Sequence, residues 1–260
     1  MLISIVTVYN DKRILDRYLL NSLRNQTAKF QLIKLDNTTN KYKSAAEALN
    51  YGGRKSKGKY IIFVHQDVEL ADENWLDRVE NMLRGIRDLG IAGCAGMDSS
   101  GEPKGFIDDS GQRWGQPLDE PIPVQTLDES VLIIPKEVFD ILQFDSQNFD
   151  GWHGYGTDYS LSVKAMGLSS YVVPAFISHH SPSSRKQPSL IKGLFEAQKR
   201  LIKKHKKIKR IYMTCGFLPT SLAFLISPKL TYRAYTSFGA RKFTSLILSL
   251  LLDEVRKWFK

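Results

Sequence analysis

The chain is poor in cysteine. Its two, Cys94 and Cys215, lie far apart and in neither a metal-type nor a redox-type spacing, which argues against a disulfide scaffold or a cysteine zinc module. Two buried free thiols are expected, in keeping with a reducing compartment. Long apolar runs are lacking too. Residues 211–227 number 17, are interrupted by Pro219 and are followed by Pro228, short of the roughly 20 residues that a membrane span needs. The start, Met-Leu-Ile-Ser-Ile-Val-Thr-Val, has no basic stretch before it, and its apolar run stops at Tyr9-Asn10-Asp11. It reads as a core strand rather than a signal peptide. No Gly-x-Gly-x-x-Gly follows that strand, which argues against a dinucleotide oxidoreductase. There is no zinc-finger spacing, no aromatic and glycine pattern of an RNA-recognition module, no internal repeat and no long low-complexity segment.

Acidic residues are scarce in one part of the chain only. Residues 1–184 hold 19 Lys/Arg and 24 Asp/Glu, a balance of −5, whereas residues 185–260 hold 18 and 3, a balance of +15. Such asymmetry points to an anionic partner for the tail, a membrane surface or a nucleic acid. With 260 residues, 42% of them hydrophobic, the chain can build one full α/β domain and a C-terminal extension.

Strand-like and helix-like segments alternate. Ile3–Tyr9, Phe30–Leu35, Tyr60–Val64, Ile91–Gly96, Val131–Ile134 and Tyr171–Ile177 read as strands. Lys12–Asn25, Ser44–Arg54, Trp75–Leu89, Lys136–Leu142 and Asp158–Met166 carry helical spacing. Residues 98–126 read as a long loop, which in a compact domain is often functional. Asp150–Thr157 reads as an irregular aromatic bend. This alternation predicts a mostly parallel, Rossmann-like sheet flanked by helices over 1–184. The clusters Tyr9-Asn10, Asp36-Asn37 and His65-Gln66-Asp67 would then meet at one rim, beyond the carboxyl ends of the strands, where such sheets bind ligands.

Over 185–260 a helical basic extension is expected. Leu190, Ile191, Leu194, Phe195, Leu201 and Ile202 form an apolar stripe among lysines, and Phe243, Leu246, Ile247, Leu250, Leu251, Val255 and Trp258 form a second. The first fits a helix lying in a membrane interface. At roughly 1 kcal/mol per Lys or Arg near an anionic leaflet, the 11 between Arg185 and Arg210 are enough to hold it there. The alternative is that both stripes pack on the domain.

Asp67 follows an apolar strand that would hold it rigidly, and Glu69, two residues on, would point to the same side. This makes Asp67 a natural metal ligand, with a turn or helix-capping role as the alternative. Asp158 opens a helix after a glycine-rich bend, so an N-cap role competes with chemistry there.

The segment Ile3-Ser-Ile-Val-Thr-Val-Tyr-Asn10 resembles the first strand of the family-two glycosyltransferases of GT-A fold. Leu35-Asp36-Asn37 resembles their nucleotide-binding aspartate. Ala48-Leu49-Asn50-Tyr-Gly52-Gly53 and Gly58–Asp67 resemble the approach to their Asp-x-Asp motif. Asp128-Glu129-Ser130 with the following strand resembles the acceptor-side strand, Trp152-His153 and Asp158 the base-bearing segment, and His179-His180 the late metal histidine. His65 stands at the first position of the Asp-x-Asp motif, as in a subgroup of glycosyltransferase-like proteins, and Thr157 stands before Asp158 where an acidic residue is usual.

The resemblance implies an inverting, metal-dependent glycosyltransferase using Mn²⁺ or Mg²⁺. Thr7, Val8, Tyr9, Asp36, Asn37, Asn50, Gln66, Asp67 and Asp128 would line the nucleotide-sugar site. Asp67 with His179 or His180 would bind the metal, Asp158 would be the general base, and Trp152 and His153 would meet the acceptor. The implied partners are a nucleotide sugar, taken as a UDP-sugar, and a glycan or lipid-linked acceptor; the basic tail adds an anionic membrane at its cytoplasmic face, with a homodimer left open. The alternative is a nucleic-acid- or membrane-binding protein on a catalytically inactive scaffold of the same fold.

Overall fold

The computed structural model describes residues 2–181, 188–214 and 216–219 and positions 244, 247 and 248. β1 (Ile3–Tyr9) is followed by α1 (Lys12–Arg17), α2 (Leu19–Leu23), β2 (Phe30–Asp36), α3 (Ala45–Lys55), β3 (Tyr60–Val64), β4 (Val68–Leu70), α4 (Trp75–Arg84), β5 (Leu89–Gly93) and β6 (Ala95–Met97). Then come β7 (Pro103–Asp109), β8 (Gln112–Gln116), β9 (Ile122–Val124), β10 (Thr126–Leu127), β11 (Val131–Pro135), α5 (Lys136–Ile141), α6 (Tyr155–Ala165), β12 (Ser169–Val172) and β13 (Ile177–His179). α7 (Pro188–Lys204) and the hairpin β14 (Arg210–Met213) and β15 (Gly216–Pro219) complete the assigned elements.

The main sheet has the order β2-β1-β3-β11-β5-β12-β9. All its strands run the same way except β11 and β9. Side chains alternate between two cores, as the pleat requires. Val6, Ile61, Phe63, Leu132 and Ile134 enter one, while Ile3, Ile5, Ile62, Val131 and Ile133 enter the other. Helices cover both faces, so β3 and β11 are buried at every position. Each such side chain contributes roughly 1.5–3 kcal/mol of burial.

The loop expected over 98–126 is instead mostly strand. β7 and β8 form a hairpin whose two turn residues, Ser110 (φ 57°) and Gly111 (φ 85°), adopt the left-handed backbone that a tight hairpin turn demands. These strands are too polar to announce themselves, since β7 alone carries Lys104, Asp108 and Asp109. They build a second sheet, β10-β6-β7-β13-β4, with β8 on β7. The strand expected over 171–177 accordingly splits, β12 staying in the main sheet and β13 joining the second. The helix expected from Trp75 stops at Arg84 before Gly85, and the one expected over 12–25 breaks at Tyr18.

α7 packs on the domain. Ala197, Gln198 and Leu201 are buried. Arg200 pairs with Asp150, and Lys204 with Asp145 and Asp158. Two basic residues expected to meet a membrane, Arg200 and Lys204, are thus paired with carboxylates of the domain, whereas Lys203, Lys206, Lys207 and Lys209 are exposed. The first part of the apolar 211–227 stretch is the β14–β15 hairpin. Cys94 is a buried free thiol. Cys215, residues 220–227 and, apart from Ile247, the second apolar stripe lie outside the described residues. No helix among the described residues is long and apolar enough to cross a membrane.

Candidate active site

The three polar clusters share one rim. β1 pairs in register with β2, placing Tyr9 opposite Asp36, and the Asn37 N–H donates to the Tyr9 carbonyl at 2.8 Å. Gln66 bridges to the first strand: its Oε1 accepts from the N–H groups of Asn10 and Asp11 (3.0 and 3.1 Å), and its amide donates to Asn10 Oδ1 at 2.7 Å. Asp36 accepts from the Thr38 N–H (2.9 Å) and hydroxyl (2.7 Å). These two bonds, with one from Tyr9, hold its carboxyl below the usual range. Asp36, Thr38, Thr39, Lys41, Tyr42 and Tyr51 line a cleft of about 470 Å³ beside β2.

The second sheet adds the late histidine. β13 lies between β7 and β4, with His179 opposite both Asp109 and Val68. His179 Nε2 sits 3.4 Å from Asp67 Oδ1, and its Nδ1 sits 3.5 Å from Asp109 Oδ1. The imidazole is raised above its ordinary pKa: burial opposes charge there, but Asp67 and Asp128 outweigh it. Burial also works against the Asp67 carboxylate, yet bonding to His179 and the nearby His65 keep it below the usual range. Burial pushes His65 down, and its Nε2 lies 3.0 Å from the Tyr155 hydroxyl.

One ligand atom each from His65, Asp67 and His179 lie within 4.8 Å of one another, a group that can hold a metal ion. Two imidazole nitrogens and a carboxylate suit Mn²⁺ better than Mg²⁺, which favours an all-oxygen octahedron. His179 is thus the histidine of this group. His180 turns away to Glu69 (3.0 Å) and stacks on Tyr18 at 4.0 Å, so Glu69 does not join Asp67. His65 is the member of this group to which sequence reasoning assigned no metal role, since it stands where Asp-x-Asp has its first carboxylate. The signal was there: an imidazole two residues before Asp67 replaces one donor by another.

Other expected residues fall differently. Val8 and Tyr9 are half-buried at the end of β1, while Thr7 lies fully buried beneath the rim. Its hydroxyl has no hydrogen-bond partner among the described residues. Asn50 is not brought to the site. Its amide donates to the Phe144 carbonyl (2.8 Å) and accepts from the Phe144 N–H (2.9 Å), a buried clamp between α3 and the chain after α5. Asp128 accepts from the Ser130 N–H and the Thr214 hydroxyl, both at 3.0 Å. Burial would raise its carboxyl, but Ser130, His179 and Thr214 bring it below the usual range. Trp152 is 42% exposed. His153 borders a cleft of about 300 Å³ with Asp150, Glu196 and Arg200.

Asp158 lies in the first turn of α6, whose N-cap is Gly154, so it is not the cap itself. It is buried, and its two oxygens are bonded by Lys204 Nζ (2.8 Å) and His205 Nε2 (2.7 Å). Glu129 faces the same helix end. Its Oε1 accepts from the Gly156 N–H at 2.8 Å, and burial pushes its carboxyl up to about 8 against that bond.

A model described as a glycosyltransferase-like family matches residues 4–205, from β1 through α7. The chain belongs to this family. Solved structures of similar fold include a mannosyltransferase from Pyrobaculum calidifontis in complex with GDP-mannose and Mn²⁺. It is 12% identical with a TM-score of 0.58, over 98% of this chain and 82% of that one. GalNAc-T7 with UDP, GalNAc and Mn²⁺ is 17% identical with a TM-score of 0.53, over 69% of this chain and 44% of its own. S. aureus TarS 1–349 with UDP-GlcNAc is 12% identical with a TM-score of 0.53, over 80% and 70%. At such identities the likeness establishes the GT-A fold. A curated relative from Fuscovulum blasticum, described as ATP synthase subunits region ORF 6, is 28% identical over 135 residues, 48% of this chain and 53% of that protein. The chain spans about half the length of that relative and of GalNAc-T7.

Proposed function

We propose that this protein transfers a sugar from a nucleoside-diphosphate sugar to an acceptor hydroxyl, with inversion at the anomeric carbon. The single observation that carries this reading is the group His65–Asp67–His179 on the strand rim shared with Asp36. His65, Asp67 and His179 would hold Mn²⁺, or less favourably Mg²⁺. Held there, such an ion would neutralise charge on a leaving diphosphate. Asp36, Asn37 and Tyr9 would position the base and ribose, and fixing that pose removes much of the entropic barrier to transfer. Gln66 and its bonds to Asn10 and Asp11 keep the rim in shape. Asp128 would stay ionised beside His179 and hold its charge.

A UDP-sugar is the donor we favour, and a glycan or lipid-linked precursor the acceptor. Trp152, exposed on the bend before α6, offers an aromatic face for a sugar ring. The exposed lysines after α7 would draw the protein to the anionic inner face of a cell membrane. Calorimetry with a panel of UDP-glucose, UDP-galactose, UDP-GlcNAc and GDP-mannose, with and without Mn²⁺, tests the reading. Mn²⁺-dependent binding of at least one donor, lost in Asp67→Asn, is expected. No binding of any donor with the metal supplied would favour an inactive scaffold.

A further inference from the structure

We infer that Glu129, rather than Asp158, takes the proton from the acceptor hydroxyl, an inference that rests on the transferase reading above. A general base must be within reach of the hydroxyl it deprotonates. Asp158 is sealed off: its side chain is 3% exposed, and a hydroxyl could reach it only by displacing Lys204 or His205. Glu129 is half-buried rather than buried, and its carboxylate accepts a backbone N–H rather than a lysine and a histidine.

Its position also ties it to the metal group from two sides. It immediately precedes Ser130, whose carbonyl accepts the His65 N–H at 3.0 Å. It accepts the N–H of Gly156, whose neighbour Tyr155 reaches His65 Nε2 through its hydroxyl. The site is shaped for this carboxylate. A Cβ at Gly156 would lie 2.9 Å from Glu129 Cγ and 3.0 Å from Leu132 Cδ1, so glycine there leaves the room Glu129 occupies. The first-turn N–H groups of α6 favour negative charge at that end of the helix. Among the described residues, the charged and titratable groups that act on Glu129 include Asp128, on its own connection, and Tyr155, from α6.

In the step, the acceptor O–H proton passes to a Glu129 carboxylate oxygen as the acceptor oxygen bonds to the anomeric carbon. The bond from that carbon to the phosphate oxygen breaks, and its electron pair leaves with the nucleoside diphosphate. With water as acceptor the same step is donor hydrolysis. Ionised Glu129 is required, and its carboxyl is pushed up to about 8, chiefly by burial and further by Asp128. Turnover should therefore climb with pH through that region.

The test uses the full chain with Mn²⁺ and the donor panel above, measuring donor binding by calorimetry and release of nucleoside diphosphate between pH 6 and 9. Glu129→Gln should bind donor within about threefold of wild type, turn over about 10²–10⁴-fold more slowly, and lose the rise with pH. Glu129→Asp should keep that rise. Asp158→Asn, assayed below its melting temperature, should turn over within a few-fold of wild type. Glu129→Gln turnover within threefold of wild type would overturn the assignment while leaving the transferase reading intact. So would a hundredfold loss in a folded Asp158→Asn. Absence of all donor binding in wild type would remove the transferase reading, and this assignment with it.

Discussion

Replacing Asp158 by Asn should weaken the fold more than the chemistry. In the native protein a nearly fully buried carboxylate receives Lys204 Nζ at 2.8 Å and His205 Nε2 at 2.7 Å, tying α6 to the end of α7. Hydrogen bonds to a charged group are worth about 1.5–3 kcal/mol each, and removing one partner of a buried pair costs about 3–5 kcal/mol. Asn keeps the shape and one acceptor oxygen, and Lys204 retains Asp145 at 2.8 Å, so the lower part of that range applies, about 3 kcal/mol. At roughly 2–4 °C per kcal/mol for a chain of this size, melting should fall by about 6–12 °C. Differential scanning calorimetry at neutral pH reads this directly. A variant that melts within 1 °C of wild type would show that the latch contributes little, and the structural role given to Asp158 would be wrong.

Three further outcomes follow from the packing and the charges. Asn50→Ala strands the Phe144 N–H and carbonyl in the core, costing ~1–3 kcal/mol for each group left unpaired. Its melting temperature should drop while Mn²⁺-dependent donor affinity stays unchanged. Asp145 is held at about 2 in the folded chain: burial opposes this, but Lys204 and Asn148 prevail. Its contribution to stability is therefore present above the unfolded carboxyl pKa of about 3.9 and is lost as pH falls toward 2. Lys204→Met should accordingly lessen the loss of stability between pH 4 and 2 in acid-unfolding curves followed by circular dichroism. Gly156→Ala, which leaves every titrating group in place but crowds Glu129 Cγ, should slow turnover with donor binding preserved in calorimetry.

The centre of the main sheet could be read from the chain because β3 and β11 are unbroken apolar runs, whereas β9 lay hidden in the expected loop. Tyr60–Val64 and Val131–Pro135 are buried throughout, and no helix of that length fits between the flanking turn residues. The rim followed from the same logic, since parallel strands must end side by side. The second sheet was hidden for the opposite reason: β7 and β8 mix charged and glycine residues, and β4 has only three positions. Without that sheet nothing in the chain brings Asp109 and His179 together or separates His179 from His180. His65 read as a subgroup's departure from Asp-x-Asp and was given no metal role, although an imidazole offers a metal a donor just as well. Under the assignment inferred above, Asp158 and Glu129 exchange roles because their environments differ: the end of α7 pairs with one carboxylate, while the other is half-buried and accepts a backbone N–H. That difference is set by tertiary packing across 46 or more residues, which local spacing does not carry.

The most direct measurement is Mn²⁺ affinity in the presence of UDP, by electron paramagnetic resonance, for wild type and for His65→Ala, Asp67→Asn, His179→Ala and His180→Ala. Loss of about tenfold or more is expected in the first three, with His180→Ala close to wild type. Unchanged affinity in Asp67→Asn and His179→Ala, or a loss confined to His180→Ala, would contradict the metal group at His65, Asp67 and His179.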